Sequence, residues 1–515
     1  MASLKAKKLM RDAVDSATQV AGVYRVSFFV CRPRIQTKQE RKNYMNSNQY
    51  LAEGKISTLM IKFSVPCIMS LLVSSLYNIV DQIFIGRGVG YLGNGATNVV
   101  FPITIIALAM ALFIGDACAA YLSLCLGKED FESAHKSVGT AVVLNVVVGV
   151  LLMVLFLAGQ ETILQVFGAT ENNIEYAREY FFIIALGIPF YVFTNGMNSV
   201  IRADGSPAFA MLSTLAGCVI NLIFDPLLIF MFHWGMRGAA IATIAGQIVT
   251  AVLAAWYLFH TKSFKLKKAS FAPDAKLVAH YLPLGISSFL TQISIVVIMA
   301  VMNNTLVHYG AQSEYGADIP MTVVGIVMKV FQIVIALVIG IAAGSQPIIG
   351  YNYGAGHKHR VKEIYRTMLA AEIVVGAVSM AAFELFPRQI IGIFGSESEL
   401  YNQFAVLAFR IYLCTIILCC VQKSTSVFLQ ALGCPVLSLS LSLLRDFIVS
   451  VPAILILGRI GGVEAVLWSA PIADVISIVA AFFMMQHVMH HQLAEPKAEK
   501  SAAEPFSLLD SEPAM

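Results

Sequence analysis

Charge is scarce in this chain of 515 residues. Asp, Glu, Lys and Arg together make up 13% of it, against about 25% in ordinary soluble domains. That shortage excludes a soluble cytosolic enzyme and a disordered scaffold, both of which need a charged surface. The net charge of +4 is too small for a nucleic-acid partner. Cysteine spacing is equally uninformative for chemistry. Cys67, Cys118, Cys125, Cys218, Cys414, Cys419 and Cys420 lie in or beside apolar runs. They have neither the regular spacing of a disulfide framework nor that of a zinc site, and read as packing residues. Sustained alternation of apolar and polar residues is missing too, which excludes a β-barrel. No loop is long enough to hold a soluble catalytic or receptor domain, and no nucleophile–base pair or metal motif stands out.

What is abundant is apolar sequence, at 58% of residues and a mean hydropathy of +0.75. A bilayer core of about 30 Å takes about 20 apolar residues per helix. Twelve such segments are present, at 57–83, 96–120, 138–158, 181–201, 209–232, 239–259, 280–306, 321–344, 368–386, 404–421, 436–457 and 465–488. The expected fold is an all-α integral membrane protein.

Basic residues alternate between the connecting loops. Lys128, Lys136, Arg202, Lys262, Lys265, Lys267, Lys268, Lys358, Arg360, Lys362, Arg366 and Lys423 follow the even segments. The odd loops carry single arginines such as Arg87, Arg237, Arg388 and Arg459, or none. The positive-inside rule then puts the even loops and both termini in the cytoplasm.

The domain reading has an N-terminal extension over 1–50, a first lobe over 51–262 and a basic linker over 263–276. A second lobe covers 277–491 and a disordered tail 492–515. Residues 1–44 read as a dispensable extension, because Met45 opens a natural-looking start; a cytoplasmic amphipathic lead-in is the alternative. His487, His490 and His491 read as a solvated interfacial cluster.

The segments divide into two sets of six. Pro66 is answered by Pro283, Ile114-Gly115 by Ile339-Gly340, and Gly205-Ser-Pro207 by Gly433-Cys-Pro435. Gly235-x-x-Gly238 is answered by Gly458-x-x-Gly461. Six is even, so both halves share one orientation. That is a parallel repeat about the membrane normal, with a central cleft, which suggests a transporter.

Ionisable residues inside the bilayer are expensive and therefore carry functional weight. They are Asp81, Asp116, Asp225, Arg445, Asp446 and Asp474. Asp81 has Asn78 three residues earlier on its helical face, and Asp225 has Asn221 four residues earlier. Pro226 follows Asp225 and offers no N–H to the Leu222 carbonyl, so a kink is expected. Segments 1 and 5 run outward and segment 6 returns. Asp81, Asp225 and Thr243 therefore fall at one depth, in the outer half. Two carboxylates, an amide, a hydroxyl and a freed carbonyl suit a hard cation such as Na+. The same acids could instead share a proton, or serve as a structural hydrogen-bonded network.

The second half does not repeat these acids: the matching positions fall near Ala453 and Ile298. The carboxylate machinery is expected to lie in the first half only. Arg445 and Asp446 open segment 11 and read as a local ion pair or an interface anchor. Asp474 stays open between a structural and a functional role. Asp116 either faces the inner end of the cleft or caps segment 2. Gln292, Gln332 and Gln422 are further candidates for lining the substrate cleft.

Six stretches in order resemble the multidrug and toxic compound extrusion (MATE) family, which belongs with polysaccharide and lipid flippases. They are VPCIMSLLVSSLYNIVDQIFIGRGVG, IRADGSPAFAM, NLIFDPLLIF, WGMRGAAIAT, AAGSQPIIGYNYGAG and ALGCP. The resemblance covers roughly 50–490 and looks nearest to the MepA-type multidrug exporters of Gram-positive bacteria. It implies a cation site, for Na+ or H+, at Asp81, Asn221, Asp225 and Thr243. Some relatives add an acid in helix 7 and another in helix 10. The stretch near Thr291–Gln292 has none here, so no second-lobe cation site is expected.

The resulting expectation is a monomeric antiporter in a bacterial plasma membrane, exporting small organic, cationic or amphiphilic compounds. It would use H+ or Na+ as the coupling ion, with no cofactor and no nucleic-acid partner. A flippase for a lipid-linked saccharide is the runner-up. Its cleft would need Arg and Lys, of which the mid-membrane sequence carries almost none.

Overall fold

The computed structural model describes residues 50–167, 173–272, 274–316, 318–394 and 399–494. The extension over 1–44 and the tail beyond 494 lie outside them.

Lipid offers no hydrogen bonds, so an apolar segment must satisfy its own backbone as a helix. The described elements are accordingly helical. Eleven helices are long and apolar enough to span a bilayer, and a bent pair makes a twelfth. We number them α1 (Ile56–Gly88), α2 (Tyr91–Gly127), α3 (Phe131–Ala158), α4 (Ile174–Ala203), α5 (Pro207–Met231) and α6 (Gly235–Leu258). The second set is α7 (Ile286–Gly310), α8 (Asp318–Gly354), α9 (Lys358–Leu385), α10 (Glu399–Tyr412 with Ile416–Ala431), α11 (Pro435–Val466) and α12 (Ser469–His491).

The matched punctuation works in detail at one place. Gly205 and Gly433 have φ of +79° and +78°, a conformation that costs glycine nothing. Pro207 and Pro435 then start α5 and α11 at the first helical position, where the missing N–H is harmless. The other glycine match is looser. Gly235 turns the chain with φ of +51°, but its counterpart Gly458 stays helical and the turn falls at Gly462, with φ of +66°.

Three readings of the second half need correction. Lys423 does not mark a loop: α10 bends by 46° at 413–415 and continues to Ala431, which buries Lys423 within it. Arg445 and Asp446 do not open α11. They lie a third of the way along it, in a π-helical stretch over Leu444–Ser450. Pro283 does not sit inside α7 as Pro66 sits inside α1. It belongs to a 3-10 turn, Leu282–Gly285, that leads into α7.

Among the described residues, the two bundles share a buried core at one end. Leu51, Met60 and Phe63 of the first share a core with Ile341, Ile348, Val361 and Phe428 of the second. At the other end each bundle keeps its own core, around Ile103 and Phe181 in one and around Val327 and Phe409 in the other. Close approach at the shared end depends on absent side chains. A Cβ at Gly344 would sit 2.6 Å from the Ser64 Cα, and one at Gly285 would sit 1.9 Å from the Phe113 carbonyl oxygen. Small residues let helices pack backbone to backbone. The joined end is the one that holds the C-termini of α2 and α8, and the separate cores lie toward the opposite end.

Gly344→Val cannot be absorbed by a rotamer change, because its neighbour is backbone. We expect it to pry this end apart. A water-soluble maleimide should then label Ser64→Cys several-fold faster in that background than alone. Equal labelling would refute the role of this contact.

Candidate functional site

The first-half site is assembled by close packing of α5 on α6. A Cβ at Gly217 would meet the Thr250 Oγ1 at 2.2 Å, and one at Gly246 would meet the Gly217 carbonyl at 2.5 Å. Asn221 stands one turn above Gly217 on α5. Thr243 stands about one turn from Gly246 on the antiparallel α6. The two are thereby brought face to face.

With its amide turned to satisfy both sides, Asn221 donates from Nδ2 to Asp225 Oδ2 at 3.1 Å. Its oxygen then accepts from the Thr243 N–H at 3.3 Å. Asp81 reaches in from α1, and its carboxyl stands beside the Asp225 carboxyl. Just past Pro226, α5 widens into a π-turn over Leu227–Met231, which accommodates the missing proline N–H.

Asp225 has no exposed surface and Asp81 is 9% exposed. Among the described residues, Asp81 Oδ1 and Asp225 Oδ1 have no hydrogen-bond partner. No Lys or Arg makes an ion pair with either acid among the described residues. Two facing carboxyls without a counter-charge are stable only if something positive, a proton or a metal cation, sits between them. The oxygen set fits a hard monovalent cation by donor chemistry. Tyr77 and Tyr180, which the sequence reading did not single out, stand beside this pair.

The remaining candidates behave differently. Asn78 is exposed and donates to Ser74 O of its own helix at 2.7 Å, so it takes no part in the site. Gln332 is exposed and Gln292 half-buried. Gln422 is fully buried between α10 and α11, with Nε2 on the Leu441 carbonyl at 3.3 Å. It does not line a cleft. Asp116 is half-buried and lies eleven residues before the end of α2, so it does not cap that helix. Its Oδ1 accepts from Ser199 of α4 at 2.7 Å and its Oδ2 from Ser288 of α7 at 2.8 Å, so it ties the two bundles together. Gln430 of α10 extends that tie by donating to Ser288 Oγ at 3.3 Å.

Acids are not confined to the first half. In the second, Asp446 accepts from Arg445 Nη1 at 2.8 Å, Lys423 Nζ at 2.9 Å and Ser294 Oγ at 3.0 Å. Asp474 accepts from Arg445 Nε at 2.9 Å and Thr415 Oγ1 at 2.8 Å. Cys419 Sγ accepts from Arg445 Nη2 at 3.2 Å. The local ion pair expected for Arg445 and Asp446 is therefore real, and it forms half of a four-charge network. The mid-membrane cations Lys423 and Arg445 exist as well, but they are spent on acids of the same bundle.

Glu372 of α9 was also missed. It has no exposed surface, and neither carboxyl oxygen has a partner among the described residues. Ser424 lies beside it. The signal available in the sequence was an acid well inside an apolar run.

Comparison with known proteins gives one consistent answer. The MatE family model matches residues 66–227 and 285–456. A multidrug export protein MepA of Staphylococcus saprophyticus is 24% identical over 455 residues, covering 87% of this chain and 98% of that protein. Among solved structures, an outward-facing multidrug resistance MATE family transporter is similar with a TM-score of 0.80 at 23% identity. That match covers 90% of this chain and 100% of the other. A MATE structure in the straight conformation gives a TM-score of 0.79 at 22% identity, covering 86% and 98%. At these identities the two structural matches speak for the fold alone.

Proposed function

This chain belongs to the MatE family of multi-pass membrane transporters, and from that premise we propose that it is a secondary active antiporter for multidrug efflux. It exports organic, cationic or amphiphilic compounds in exchange for an inward H+ or Na+. The observation that carries the reading is the buried Asp81–Asp225 pair, with one oxygen of each unpartnered and no Lys or Arg paired to either among the described residues. Asn221 and Thr243 complete its ligand set, and Pro226 shapes the turn beside it. The export substrate follows from the relatives named as multidrug export proteins.

The working unit is one chain, in a bacterial plasma membrane, with both termini and the basic even loops in the cytoplasm. Its lobes are residues 51–262 and 277–491, joined by the linker at 263–276. On that topology the joined end of the bundles is cytoplasmic, and the cleft faces outward. A cation entering from outside neutralises Asp81 and Asp225, and the first lobe repacks around α1. The bundles then part at the Gly344 and Asp116–Ser288 contacts, opening the cleft to the inside. Because coupling is reciprocal, drug and cation weaken each other's binding. Apolar, aromatic and methionine side chains adapt to bulky substrates. No resident cofactor takes part.

The test uses purified protein in liposomes loaded with a cationic dye. A Na+ gradient and a pH gradient are imposed separately. Dye efflux driven by one of them is expected; dye moving with neither overturns antiport.

A further inference from the structure

The two bundles neutralise their buried acids in opposite ways. In the first, Asp81 and Asp225 face each other with one oxygen of each unpartnered among the described residues. In the second, Asp446 and Asp474 meet two cations, and every oxygen of these two carboxylates is occupied, while Glu372 stands outside their network. Both sets lie inside the spanning helices and are nearly fully buried.

The roles of the two cations differ. Arg445 is bonded three ways: to Asp446, to Asp474 and to Cys419. It is the fixed centre of the network. Lys423 enters from another helix and contributes a single compact ammonium to Asp446 Oδ2, an oxygen it shares with the Ser294 hydroxyl of α7. A point charge held on a carboxylate oxygen that also accepts from a hydroxyl occupies the place that a small hard cation takes in such a setting.

We propose that Lys423 Nζ is a tethered counter-ion filling a latent cation site in the second lobe. Removing it would uncover a site that takes a proton or Na+ at Asp446 and Ser294. The groups that face Asp446 are Lys423 and Cys419 of α10, Tyr412 at the bend of α10, Arg445 of α11 itself, Ser294 of α7 and, through Arg445, Asp474 of α12. With Lys423 in place these charges sum to zero: two cations and two carboxylates. Without it one negative charge is left over in the bilayer interior, which is costly until a cation or proton cancels it. This account rests on the proposed coupling role of Asp81 and Asp225 only for the contrast between the lobes.

Register supports the assignment. Arg445 stands ten residues after Pro435, and Gly217 stands ten after Pro207. Where the second bundle pairs charges, the first packs Gly217 against Thr250 and Gly246. The network is therefore a separate feature of the second lobe and not a repeat-related copy of the first site.

Lys423→Met is the test, read out by radioactive Na+ binding and by proton release on a pH electrode. The variant is expected to bind one more Na+ or proton per chain than the native protein. Lys423→Arg and the charge-balanced Lys423→Met/Asp446→Asn are expected to bind no more than the native protein. If Lys423→Met is unstable at neutral pH, its recovery by Na+ or by acid supports the proposal. A folded Lys423→Met with native stoichiometry overturns it. So does a variant that neither Na+ nor acid recovers while the double variant folds. A native protein that binds no cation, with the extra one still gained in Lys423→Met, would overturn the first-lobe reading and leave this one standing.

Discussion

Asp225→Asn is expected to abolish gradient-driven efflux while leaving the protein folded. Asp225 is buried, and one of its oxygens has no partner. Asparagine keeps the shape and can still meet Asn221, but it can neither carry a proton nor balance a cation. Coupling free energies between two ligands run at about 1–3 kcal/mol, or roughly 5–150-fold in affinity. The competition between dye and cation should therefore fall by a factor in that range. Dye binding itself should persist, because the variant loses coupling and not the cleft. Asp81→Asn should act in the same direction. The measurement is dye efflux from liposomes under each gradient, with equilibrium dye binding as the control. Normal gradient-driven efflux in both variants would remove the mechanism.

Arg445→Ala should damage stability more than any other single change in the second bundle. Arg445 holds Asp446 and Asp474 at 2.8 and 2.9 Å, and its removal leaves Asp474 with only the Thr415 hydroxyl. Stripping one partner from a buried ion pair costs about 3–5 kcal/mol, because the remaining charge stays desolvated. A large fall in the thermal unfolding midpoint in detergent is expected. Arg445→Met combined with Asp474→Leu removes one charge of each sign and leaves Lys423 with Asp446. It should recover most of the loss, since replacing a buried pair by apolar residues is often neutral. An Arg445→Ala variant as stable as the native chain would mean that the network contributes nothing to holding α10, α11 and α12 together.

Hydropathy and sparse punctuation were enough to read the twelve helices, because a lipid-facing helix must be apolar over its whole length. Asp81 and Asp225 were legible for the same reason: an acid in such a run stands out. The helix-10 reading failed at Lys423. The apolar run ends near 421, and a lysine there normally marks the interface. The structure instead carries α10 on through Gln422, Lys423, Ser424, Thr425 and Ser426, all of them buried. These side chains face other helices and not lipid, so their polarity is met inside the protein. Hydropathy averages over a helix and cannot tell which neighbour each face has. Glu372 escaped attention likewise: it sits fourteen residues after Lys358, in mid-helix, where only the packing of α9 on α10 shows it to be fully enclosed.

By itself the sequence determined that this is a membrane protein of twelve helices in two like-oriented sets, with a pair of acids in its first half. Scarcity of charge did that, since few charges must each sit where the bilayer tolerates them. Tertiary structure alone decided which charges meet. It brought Asp81 onto Asp225 with no Lys or Arg paired to them among the described residues, closed Lys423 and Arg445 onto Asp446 and Asp474, and joined the bundles at one end. Those outcomes depend on which helix faces present glycine and which present side chains, and on distances of about 3 Å that no one-dimensional pattern encodes.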